Sequence, residues 1–105
     1  MSENPVASLA RLADGVLMDS TTGEAVLLDL NRQLYYSLDD VGTCMLEASL
    51  RMPDVDAVVA ALASRYESES AILAQDLCCL LGDLAERGLV DRDVTERLGP
   101  IAGAG

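Results

Sequence analysis

Between Gly15 and Leu38 the chain reads GVLMDSTTGEAVLLDLNRQLYYSL, and no other stretch constrains the fold as strongly. Three short apolar runs are separated by turn signals. The first, Val16 to Ser20, stops at TTG, which cannot continue a strand and marks a turn. The second, Glu24 to Leu30, is rich in Val and Leu, and NR then turns the chain into the third, Gln33 to Leu38. Short strands joined by short turns predict an antiparallel meander.

Helical patterning follows. Asp39 is placed to cap a helix running to about Leu50, its carboxylate meeting the free N–H groups of the first turn. MPD interrupts the pattern, and Asp54 is placed to cap a second helix ending near Tyr66, with Val55, Val58, Val59 and Leu62 as its apolar face. After ESES, a third helix spans about Ala71 to Arg87, and Gly88 fits its C-terminal cap. Leu89 and Val90 return to the core. These elements predict an α+β, winged helix-turn-helix-like fold, a three-stranded antiparallel sheet followed by three helices. At 105 residues the chain makes one domain over 15–90, with a partly disordered segment at 1–14 and a flexible tail at 91–105.

At 100° per residue, Leu73, Leu77, Leu80, Leu81, Leu84 and Gly88 form one stripe of the third helix, its core face. Asp76, Asp83, Glu86 and Arg87 gather on the far side. One flank, Ala71, Ala74, Cys78, Gly82 and Ala85, is small throughout. Such a flank suits either a neighbouring helix packed closely or a shallow channel for an extended peptide. Gly82 costs roughly 1 kcal/mol of helix propensity relative to Ala, which suggests close approach by another backbone.

Charge and composition narrow the function. Eighteen Asp and Glu face seven Arg, and with no Lys or His the net charge is −11. The Arg are scattered and form no basic stripe, which argues against nucleic acid and against anionic membranes. No apolar run of about 18 residues is present to span a bilayer, and the N-terminus has no signal-peptide pattern, so a cytoplasmic protein is the expectation. The absence of His removes the commonest general base. Cys44, Cys78 and Cys79 lack metal-site spacing and read as small core or flank residues in a reducing compartment. Asp39 and Asp40 read as helix-start charges. No cofactor or metal is expected, and the chain reads as a binding module rather than an enzyme.

GEAVLLDLNRQLYYSLDDVGTCMLEA, DVDAVVAALASRY and DLCCLLGDLAERGLV, taken in order, resemble the PqqD-like family of RiPP recognition elements. The residues carrying the resemblance are Leu27, Leu28 and Asp29, the pair Tyr35 and Tyr36, then Leu38, Asp39, Gly42, Tyr66, Leu84, Gly88 and Leu89. It covers about residues 15 to 90, and the length is most like the free-standing recognition subunit of lasso-peptide pathways. The resemblance implies a domain that binds a precursor leader peptide and presents it to a leader peptidase, from which the peptide reaches a macrolactam cyclase. It implies that the leader adds as a strand to the third strand and packs against the third helix. Carried onto this chain, the peptide-binding residues are Gln33, Leu34, Tyr35, Tyr36, Ser37 and Leu38, with Ala74, Cys78, Leu81 and Ala85. Gln33 stands where relatives often have a turn Gly, and Asn31 is expected to take the left-handed backbone instead. A PqqD-like carrier in another peptide-modifying pathway is the alternative, and a winged-helix DNA-binding regulator is disfavoured by charge.

Strand alternation puts Leu34, Tyr36 and Leu38 on one face and Gln33, Tyr35 and Ser37 on the other. The leucines nominate the Tyr36 face as core. Tyr35 is left on the outer face, either bordering a bound peptide or simply suited to a half-exposed sheet.

Overall fold

The structure, a computed structural model, describes residues 8–21 and 23–98. Strands β1 (Val16–Asp19), β2 (Val26–Asp29) and β3 (Leu34–Ser37) form one antiparallel sheet in the order β1-β2-β3. Helices α1 (Asp40–Arg51), α2 (Val55–Ala63) and α3 (Ser70–Glu86) follow, as the patterning predicts. Each strand is shorter than its apolar run because the turns draw in the flanking residues.

The caps form as expected. The Asp39 carboxylate accepts from the Gly42 N–H at 2.8 Å, and that of Asp54 accepts from the Ala57 N–H at 2.8 Å. After α3, Gly88 takes φ +76°, and the Leu89 N–H returns to the Leu84 carbonyl at 2.9 Å. The left-handed backbone at Gly88 disfavours other residues, and a Cβ there would also displace the Arg32 guanidinium.

The core lies between the inner sheet face and the helices. Val16 and Leu27 meet Leu46, Val58, Leu62, Leu73, Leu77, Leu81 and Leu84, all buried. Thr43 ties the sheet to α1, its buried hydroxyl accepting from the Ala25 N–H at 2.7 Å. Tyr66 lies just beyond α2, and its hydroxyl donates to Cys44 Sγ at 3.2 Å, which raises the Tyr66 pKa.

Both flanks of the domain carry structure over their described residues. The N-terminal segment is attached over its described part: Leu9 and Ala10 are buried, their N–H groups donating to the Met52 and Ser49 carbonyls. Leu12 then bridges Val90. At the other end, residues read as part of a flexible tail form α4 (Asp93–Leu98), and Val94 is buried. A helix this short carries too few apolar positions to register as periodicity. The expectations for residues 1–7 and 99–105 lie outside the described residues.

Candidate functional site

The β2–β3 turn sets the geometry of the site. Asp29 ends β2 on the inner face and is almost fully buried. Burial alone raises its pKa, but the N–H groups of Arg32 and Asn31 and the Arg32 guanidinium, whose Nε lies at 2.9 Å, outweigh that and hold it below the usual carboxylate range. Gln33 closes the turn at φ +59°. The left-handed residue is therefore Gln33, not Asn31, whose side chain instead donates to the Asp14 carbonyl at 3.2 Å.

The ladder phase decides which groups of β3 are free. The Leu38 N–H donates to the Ala25 carbonyl at 2.8 Å, one pair beyond the Val26–Ser37 pair. Hydrogen-bonded pairs alternate along an antiparallel ladder. Leu34 and Tyr36 thus also turn their backbone groups toward β2. The N–H and C=O of Tyr35 and Ser37 point away, to an edge with no strand beside it among the described residues. The opposite edge is partly closed, because the Val16 N–H already donates to the Ala13 carbonyl.

The C-terminal end of α3 meets β3. The Tyr36 hydroxyl donates to the Asp83 carboxylate at 3.1 Å. Arg87 pairs with Asp83 at 3.0 Å and lies over the Tyr36 ring, 4.8 Å from its centroid. The Tyr36 pKa is raised, by burial first and then by Asp83. Arg32 reaches across to donate to the Arg87 carbonyl. Between these groups Leu34, Tyr35, Tyr36 and Leu89 line a depression of about 70 Å³.

The sequence-predicted site residues divide into two groups. Gln33 to Leu38 occupy the edge strand and its two flanking positions. Tyr36 packs inward and Leu38 is buried, while Tyr35 is 73% exposed. Leu34 shares Tyr36's face yet is 57% exposed. The α3 set is not brought to β3. Leu81 and Ala85 are buried in the core. Ala74 lines a cleft with Asp56, Val59 and Ala60 of α2, so the small flank begins against a neighbouring helix. Cys78 is half-buried, and burial raises its thiol pKa. A Cβ on Gly82 would meet nothing within 4 Å, so no close approach explains that glycine.

The α3 face beside β3 is instead the one carrying Asp83 and Arg87. Ile72, Asp76 and Cys79 fall within about 60° of Asp83 around the helix axis, and Leu80 borders them on the core side. Periodicity places these residues on one face, but no sequence signal assigns that face to β3. Ile72 is half-exposed and Cys79 exposed. No group of three or more His, Cys, Asp or Glu that could hold a metal occurs among the described residues, and no helix there is long and apolar enough to cross a membrane.

Comparison with known proteins gives two kinds of match. Residues 24–90 match the model of the family described as coenzyme PQQ synthesis protein D (PqqD). Among solved structures, TbiB1 in complex with the TbiA(beta) leader peptide superposes with a TM-score of 0.71 at 26% identity, covering 77% of this chain and 94% of that one. A lasso peptide synthetase B1 complexed with the leader peptide superposes at 0.72, again at 26% identity, covering 79% and 98%. No curated protein sequence matches the chain.

Proposed function

The chain belongs to the PqqD family, and from that premise we propose that it is a non-catalytic leader-peptide-binding protein of a ribosomal natural-product pathway of the lasso-peptide type. The leader adds as a strand to β3 and lies against α3, and the loaded chain presents it to a leader peptidase, upstream of a macrolactam cyclase. The observation that carries this reading is the open edge of β3. The backbone groups of Tyr35 and Ser37 point outward there, beside an α3 face bearing Ile72, Cys79 and Asp83. Both similar solved structures hold a leader peptide.

Strand addition is a recurrent mode of peptide capture, but ladder bonds alone do not hold a peptide. Each contributes about 0.5–1.5 kcal/mol net, while ordering each peptide residue costs about 1–2 kcal/mol. Side-chain anchors supply the surplus, at roughly 1.5–3 kcal/mol for each large apolar group fully buried. The depression at Leu34, Tyr36 and Leu89 and the face at Ile72 and Cys79 are where such anchors fit. Specificity then resides along the α3 seam and orientation in the strand. DNA binding is opposed by the charge of −11 and by the ion pairs that occupy Arg11, Arg32 and Arg87.

The test is a fluorescence-polarisation titration with labelled leaders of the precursors encoded beside this chain. Saturable binding that is lost in Ser37→Pro supports the reading. That substitution removes an outward N–H and leaves the β2 ladder intact, as proline on an edge strand allows. Absence of binding to every such leader overturns it.

A further inference from the structure

The sheet has a second unusual surface. Leu17 pairs with Leu28, and Leu28 pairs with Tyr35. Each comes from a different strand at the same level, so all three side chains stand in one row on the outer face. They are 53%, 38% and 73% exposed. The uncovered face of an antiparallel sheet is ordinarily polar, whereas here an apolar row crosses all three strands. At the hairpin it continues into Leu30, 59% exposed. The row ends at the open edge of β3.

We propose that this outer face is the docking surface for the enzyme that processes the bound leader, a folded partner with an apolar patch and a basic rim. The inference rests on the leader-binding reading of the β3 edge and says how the loaded chain is read. A strand added at β3 alternates its side chains. Those on the α3 side anchor it, and the others extend the row beyond Tyr35. Loading thus enlarges the very surface the partner meets, which couples leader capture to processing.

Charge selects the occupant. A second copy would bring two chains of −11 together. Asp19 stands on this same face, two pairs along from Leu17, and Asp14 is exposed just before β1. At a screening length of roughly 8 Å these carboxylates oppose self-association and favour a partner with a cationic rim. The peptide itself enters edge-on and leaves the face free.

The double variant Leu17→Ser/Leu28→Ser tests the surface, since neither residue lies on β3 or α3. The probes are the labelled leader and the purified leader peptidase encoded with the chain. Leader affinity stays within about twofold, while the concentration of chain needed to stimulate cleavage of the precursor rises about tenfold or more. Unchanged stimulation overturns the inference. So does wild-type self-association in sedimentation velocity that the double variant abolishes, because the row is then a dimer interface. Should the wild-type chain bind no leader, the leader-binding reading fails by itself. The face is then judged by leader-free association with the peptidase in sedimentation velocity. Association that the double variant loses supports the docking surface, and no wild-type association, or association the double variant retains, overturns it.

Discussion

The Tyr36 hydroxyl donates to the Asp83 carboxylate at 3.1 Å, and this bond joins the edge strand to the helix beside it. Arg87 completes the arrangement by pairing with Asp83 and covering the Tyr36 ring. Tyr36→Phe keeps the ring and removes the bond, and is expected to lower stability by about 1 kcal/mol in urea denaturation. Leader affinity falls less than for any substitution that blocks the edge, because the ring still fixes the spacing of β3 and α3.

Asp29 gives the protein an acid sensitivity. Its pKa is held down in the folded state by the N–H groups of Arg32 and Asn31 and the Arg32 guanidinium, despite burial that works the other way. The stability this contributes is fully present above the unfolded-chain pKa of about 3.9 and is lost as pH falls through the lower folded value. Asp29→Asn is expected to destabilise the protein at pH 7 and to flatten the decline below pH 4 (about one pKa range of an unfolded Asp), read from thermal melts across pH.

Gln33 carries a backbone conformation that suits glycine. With φ at +59°, a β-branched side chain there is expected to lose about 1–2 kcal/mol, so Gln33→Val should melt earlier. Gln33→Gly should not, because removing the Cβ relieves the same crowding. Equal effects from the two would show that the turn adopts another conformation in solution.

Gly82 is the reverse case. It sits inside α3 with open space where a Cβ would go. Gly82→Ala is therefore expected to raise stability by about 0.5–1 kcal/mol in chemical denaturation, the full helix-propensity difference.

Much of this architecture is legible in the sequence because it is local. TTG and NR break the strands, Asp39 and Asp54 cap the helices, Gly88 ends α3, and the leucine stripe of α3 faces the core. What periodicity cannot supply is the rotation of α3 relative to the sheet. It separates two flanks of the leucine stripe without saying which one meets β3, and in the structure it is the Asp83 side that does so. The left-handed turn residue had a signal, the glycine that relatives often place at position 33. The intrinsic preference of Asn for that backbone pointed to Asn31 instead, but Asn31 is occupied by its bond to Asp14. The attachment of residues 8–13 depends on backbone hydrogen bonds to distant elements, which leave no local pattern.

The orientation of α3 yields the sharpest test of the peptide site. Cys79 is exposed on the face that Asp83 presents toward β3, while Ala74 lines the cleft toward α2. Aspartate at either position introduces the same charge into the same helix, about one turn from its N-terminus at Ala74 and about two and a half turns from it at Cys79. Cys79→Asp is expected to weaken leader binding about tenfold, since a charge placed under an apolar anchor must be desolvated. Ala74→Asp should leave affinity unchanged in the same fluorescence-polarisation titration. Thermal melts of both variants separate lost binding from lost folding. If Ala74→Asp weakens binding and Cys79→Asp does not, the leader lies along the small flank, and the seam between β3 and the Asp83 face is not the groove.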